Sequence, residues 1–247
     1  MKKARDWEKT IELIIVIMLG ITALFTAWAS WIGSLHGGNQ STNYTVSNNL
    51  ASEGNSEYNA AVQQMNQDMS LWNDISKMQV EIQFAQSLED EITVEKVCFQ
   101  LFYLLDENLS ETMAKKIGWN YQLTDAEYDD PTETVLTWME NPDSMKSPFF
   151  DSEYVAAYTE TANDLLAQSQ EVLEQGKKDN QHGDAYGLVT VIYSVVLFLL
   201  GIASSFNNTK NKYAVVCISI VAFIIATIYM VTLPLPTGFA ISSFFGG

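Results

Sequence analysis

Histidine, cysteine and proline are scarce in this chain, with two, two and five copies in 247 residues. His36 and His182 are far apart and no His-Glu-x-x-His occurs, so a helical catalytic zinc site has no support. Gly-x-Ser-x-Gly, the Walker loop and the dinucleotide fingerprint are missing as well. An enzyme is therefore not expected, and no catalytic residue, cofactor or resident metal is assigned. Basic residues are few, 13 against 30 acidic, for a net charge of −17. Such a surface argues against nucleic acid and against docking on anionic lipid.

Charge is almost wholly missing from three stretches, 11–35, 186–206 and 214–235, where Glu12 is the one ionisable side chain. Each has the roughly 20 residues that cross about 30 Å of hydrocarbon as a helix. Between the first two lies a different material, 36–185, holding 27 of the 30 acidic residues and 7 of the 13 basic ones. The other basic residues are Lys2, Lys3, Arg5 and Lys9 before the first span, and Lys210 and Lys212 in the link 207–213. Lys and Arg gather in short cytoplasmic loops. This distribution predicts a cytoplasmic N-terminus (1–10), a cytoplasmic link, and an extracytoplasmic acidic domain at 36–185. An apolar tail, 236–247, lies on the same outer side. Ala27-Trp28-Ala29 resembles a leader cleavage site, but the apolar run continues through Trp31 and Ile32, which favours a retained span. Cys98 and Cys217 then fall in different compartments, so the outer domain rests on its own core.

No run alternates with period two, so helices are expected throughout. Tyr44, Asn48, Ala51, Asn55, Tyr58, Val62, Met65, Met69 and Trp72 follow alternating steps of four and three. That spacing predicts a heptad seam on a long helix, with Asn48 and Asn55 as polar layers that set register. A loosely ordered polar linker is the competing reading. Ile92, Val97, Cys98, Leu101, Phe102, Leu105, Leu109, Met113 and Ile117 predict a second helix ended by Gly118. Thr124 with Glu127 forms a capping box, Asp130-Pro131 opens another helix, and two Xaa-Pro pairs bracket a turn. Asp151 caps a last outer helix that carries Tyr154, Tyr158, Leu165 and Leu173 on one face and ends in a polar hinge, 176–184. The first and last outer helices are expected to pair as an antiparallel stalk. The fold class is all-α: three transmembrane helices with a large extracytoplasmic, stalk-like or coiled-coil-like helical domain.

Thr26-Ala27-Trp28, Trp138, Ser147-Pro148-Phe149, Glu153-Tyr154, and Tyr186 with Phe198, Gly201 and Ile202 carry a resemblance. Together they resemble a widespread group of uncharacterised prokaryotic membrane proteins. That group has one N-terminal span, an outer helical region and a C-terminal pair of spans. The resemblance implies the same topology and no site residues.

Asp125, Glu127, Asp129, Asp130 and Glu133 are spaced like the start of a calcium loop. However, Asp130 stands where glycine is needed and Leu136 where the bidentate glutamate belongs. Solvated helix-cap acids are the simpler reading. His36 and His182 lie just beyond the first and before the second span, at one level of the outer face, where they could titrate together. Two wetted interfacial residues are the alternative. Small and hydroxyl residues form rows in the spans: Gly187, Thr190, Ser194, Gly201 and Ser204 in the second, Ala23, Thr26, Ser30 and Gly33 in the first. Such rows let helices approach closely, within one subunit or between subunits, or line a hydroxyl pore. The expected partners are the lipid bilayer, further copies of the chain as a homo-oligomer, and an envelope protein. The expected function is a passive pore-like assembly, with a non-conducting envelope scaffold or sensor as the alternative.

Overall fold

The computed structural model describes residues 2–120, 122–206 and 208–239, and no strand occurs among them. Seven α-helices follow in order: α1 Lys2–Ser87, α2 Glu91–Asn108, α3 Glu111–Ile117, α4 Asp125–Asp129, α5 Pro131–Met139, α6 Ser152–Ser205 and α7 Thr209–Thr232. A 3₁₀ turn, Pro148–Phe150, precedes α6. Three of the helices, α1, α6 and α7, are long and apolar enough to cross a membrane. The chain divides into two compact units, one of residues 1–49 with 168–247 and one of residues 50–167. Helices α1 and α6 each contribute to both.

The span-bearing unit is held by two apolar clusters. Ala29, Ile32, Tyr186, Val189, Tyr193, Ala226 and Met230 form one, and Ile11, Ile15, Val196, Leu200, Ala203 and Val216 the other. The remaining faces expose Leu24, Phe198, Ile224 and Val231, as lipid-facing surfaces do. Within the first cluster the Tyr193 hydroxyl pairs with Thr227 Oγ1 at 2.9 Å, so the buried phenol is satisfied. Lys212 is buried and donates to Glu12 Oε1 at 3.4 Å, joining the starts of the first and third spans. Within the expected link 207–213, Asn208 caps α7 and Lys210 and Lys212 lie in its first turn. The expected apolar tail is described only as far as Phe239; the rest lies outside the described residues.

The second unit has a core of its own, built from Trp72, Ile75 and Ile82 of α1, Val97, Leu101, Phe102 and Leu105 of α2, Met113 and Ile117 of α3, and Trp138 of α5. Each fully buried large side chain contributes about 2 kcal/mol by leaving water. Helix α1 ends where Glu89 adopts φ 57° and Asp90 N–H reaches Ala85 O at 3.0 Å, a closure usually built on glycine. Asp90 then caps α2 through Thr93. The expected single helix ending at Gly118 is two: it breaks at Leu109, and the Ser110 side chain caps α3. Gly118 does end α3, at φ 73°, and Trp138 Nε1 donates to the Ile117 carbonyl left open there. The capping box at Thr124 and Glu127, the start at Asp130-Pro131 and the Asp151 cap are all present.

Two expectations about the long helices are corrected. Asn48 and Asn55 are exposed, and Ser47 and Gly54, one residue earlier, are buried instead. The seam runs there because small residues let α6 come close: a Cβ at Gly54 would stand 3.0 Å from Leu166 Cγ and 3.2 Å from Ala162 O. The hinge at 176–184 is absent, since α6 is helical throughout. Its glycines are contact points rather than joints. A Cβ at Gly176 would meet the Tyr44 ring at 2.7 Å, and one at Gly183 the Gly33 carbonyl at 3.5 Å.

Candidate functional site

Beyond the apolar clusters of the span-bearing unit, α1 turns His36 inward one turn after Ile32. Asp179 and His182, three apart on α6, share one face and meet it. His36 and Asp179 are each about 1% exposed, whereas His182 is half-buried. The His36 and His182 rings meet edge to face with centroids 5.2 Å apart, and Tyr186 stacks on His36 at 5.8 Å. His36 Nδ1 lies 3.0 Å from Asp179 Oδ1, and His36 Nε2 lies 3.1 Å from the Pro234 carbonyl oxygen. The other carboxylate oxygen, Asp179 Oδ2, accepts from Asn43 at 3.0 Å and from Gln175 at 3.3 Å. Asn39 donates to the Thr237 carbonyl, so the segment after α7 is tied to α1 twice.

The hydrogen-bond logic is restrictive. Both ring nitrogens of His36 face acceptors, so a neutral imidazole donates to only one, while an imidazolium satisfies both. Together the three residues can hold a proton or a small cation between two helices. Among the described residues they form the one group of three His, Cys, Asp or Glu side chains with converging ligand atoms. The two histidines were visible in the sequence; Asp179 was not, because it stood in a segment read as a hinge. Its signal was the Asp-x-x-His spacing, which puts both side chains on one helical face.

The small-residue rows lie elsewhere. Gly187, Ser194, Gly201 and Ser204 are exposed and Thr190 half-exposed, and a Cβ added at Gly187 or Gly201 would meet nothing within 4 Å. On α1, Ala23 and Ser30 are exposed and Thr26 is half-buried. The hydroxyls bond within their own helices: Thr190 donates to Tyr186 O, Ser194 to Thr190 O, Ser204 to Gly201 O and Thr26 to Thr22 O. These residues are not brought together inside the chain, apart from Gly33, where a Cβ would lie 3.3 Å from Tyr186 Cβ.

The calcium-loop-like acids in the second unit act as caps. Glu127 accepts from the Thr124 N–H and hydroxyl, which lower its pKa, and Asp130 accepts from Glu133 N–H. Cys98 is fully buried, and burial pushes its thiol up to about 11, so it is an inert core residue. No protein family, curated protein or solved structure matches this chain.

Proposed function

We propose that this protein is a non-conducting sensor or scaffold of the cell envelope, anchored by three spans with its N-terminus in the cytoplasm. In this reading the second unit is extracytoplasmic and meets an envelope partner, and the His36–Asp179–His182 cluster sets how α1 and α6 pack where they leave the bilayer. The orientation is supported by Lys2, Lys3, Arg5, Lys9, Lys210 and Lys212 at one end of the spans. The observation that carries the functional half is the buried cluster itself. Ionisable groups buried this completely between two helices are costly unless they are partnered. The cluster also joins the two helices that continue past Asn49 and before Gln168 into the second unit.

The pore reading requires several copies arranged around the exposed row of Gly187, Ser194, Gly201 and Ser204. That row favours contact between subunits, since small residues facing outward allow helices to approach in lipid. Its Ser194 and Ser204 hydroxyls donate their hydrogens to carbonyls within α6 and keep only acceptor lone pairs for a lining.

The test compares wild type with Asp179→Asn in lipid nanodiscs by hydrogen exchange, alongside planar-bilayer recording of the wild type. The sensor reading expects altered exchange in α1 and α6 beyond the cluster, into residues 50–87 and 152–167, and no unitary currents. Currents in the wild type, or exchange changes confined to the cluster, overturn it.

A further inference from the structure

We infer that His36, Asp179 and His182 bind one divalent transition-metal ion, zinc in preference to calcium or magnesium. This deepens the sensor reading and rests on it for its consequence; the binding itself stands on the geometry. One ligand atom from each residue lies within 4.8 Å of the other two. Zinc held at about 2.0–2.2 Å keeps its tetrahedral ligands roughly 3.3–3.6 Å apart. His36 Nδ1 and Asp179 Oδ1, at 3.0 Å, already stand near that separation. A change in the side-chain torsions of the half-buried His182 brings in the third ligand.

The outer shell is assembled around these ligands. A metal-bound histidine donates its second ring N–H to a carbonyl or carboxylate, which fixes the tautomer. Pro234 O occupies that place for His36 and leaves the Nδ1 lone pair for the ion. Asn43 and Gln175 hold Asp179 Oδ2, which leaves Oδ1 free to ligate. In the metal-free state the same pair of atoms meets at hydrogen-bond distance. An incoming cation takes the position between them.

Ligand chemistry selects the ion. Two imidazoles and one carboxylate suit zinc and its neighbours, whereas calcium takes six to eight oxygens and magnesium an octahedron of oxygens. The partly exposed His182 edge leaves room for water as a fourth ligand, as in zinc sites with three protein ligands. Ligands from α1 and α6 mean that the ion clamps the two helices together at this level.

The experiment uses the full chain in detergent, purified without a histidine tag and stripped with chelator, titrated with zinc chloride alone by calorimetry and with cobalt chloride by visible absorption. Wild type should bind one zinc per chain, give the intense absorption of four-coordinate cobalt, and ignore calcium and magnesium. His182→Gln should weaken zinc by at least about tenfold while keeping helix content and metal-free melting temperature. Asp184→Asn, an exposed acid nearby, should leave binding unchanged. Absence of saturable binding, or wild-type affinity in both His182→Gln and His36→Gln, overturns the site. A melting temperature that responds to pH but not to zinc also overturns it, and leaves the sensor reading with a proton as its signal. Zinc binding as expected with no exchange change in residues 50–87 and 152–167 keeps the site and removes the sensor reading.

Discussion

Ser47 and Ser169 bond to each other twice: the Ser47 hydroxyl donates to the Ser169 carbonyl at 2.9 Å, and the Ser169 hydroxyl to the Ser47 carbonyl at 2.8 Å. Both residues are buried between α1 and α6. Each carbonyl gains a second donor, and no water is needed. Ser47→Ala and Ser169→Ala should each cost about 1 kcal/mol, because each removes one buried hydrogen bond. The double variant should cost less than their sum, since residues in contact do not act independently. Thermal melts of the three variants in one detergent check this, and strict additivity would show that the pair does not act as a unit.

Asp68 collects donors in the second unit. Its carboxylate accepts from Gln64, Ser110, Tyr154 and Tyr158, so residues from α1, α6 and the start of α3 converge on one buried acid. Burial first, then the hydrogen bond to Asp68, pushes the Tyr158 phenol up to about 12, and burial raises Tyr154 as well. Both phenols therefore remain donors at neutral pH. Asp68→Ala strands several of these hydroxyls and should cost roughly 3 kcal/mol or more. Asp68→Asn keeps an acceptor oxygen and should cost less. Urea unfolding followed by tryptophan fluorescence, with Trp72, Trp119 and Trp138 in this core, reads the difference.

Acid should weaken the second unit. Asp151 has its pKa lowered by Lys116 first and then by the Tyr154 N–H; Glu127 is lowered by Thr124, and Asp90 by Thr93. A carboxylate that is more acidic in the folded state than in the unfolded chain stabilises the fold fully above the ordinary carboxylate range, about 4. That contribution is lost as pH falls through the folded values. The melting temperature should therefore hold steady from neutral pH to about 5 and fall below about 4. In Asp151→Asn the fall should be shallower. An identical acid profile in that variant would show that the cap and its Lys116 pair contribute nothing.

The exposed row on α6 decides subunit contact. Gly201→Leu adds a side chain where a Cβ meets nothing within 4 Å of its own chain. The monomer should accept it with no loss of melting temperature. If Gly201 faces another copy, the oligomer should dissociate in the same variant, because backbones can no longer approach. Mass photometry of wild type and variant in nanodiscs measures this; an unchanged mass distribution counts against a subunit contact at this row.

The three long apolar helices were legible because about 20 uncharged residues leave few alternatives. Asp151, Thr124 with Glu127, and Asp130-Pro131 were legible because caps are local chemistry. The break before α3 was missed: apolar spacing continues from Leu105 through Leu109 to Met113, and it outweighed the quieter capping signal of Ser110. The seam was misplaced by one residue because Tyr58, Val62 and Met65 suggested an apolar stripe, whereas the contact is made where side chains are smallest, at Ser47 and Gly54. Gly176 and Gly183 pointed to a hinge because glycine weakens an isolated helix. Their actual role depends on Tyr44 and Gly33, more than a hundred residues earlier, and no local pattern carries that information.

Those close approaches determine which movements the span-bearing unit permits. Between Gly33 and Asn49 on α1, and between Gln168 and Tyr186 on α6, the helices interlock at Tyr44 on Gly176, Ser47 on Ser169 and Gly33 near Gly183. Sliding by one turn, about 5.4 Å, would carry the Tyr44 ring off a glycine and onto Val172 or Asn180, and would separate both serine bonds together. Piston motion is therefore blocked at three notches. Scissoring or twisting about them is the cheaper movement, and it makes the notched stretch a fulcrum that holds the His36 cluster within it, between the Gly33 and Tyr44 contacts.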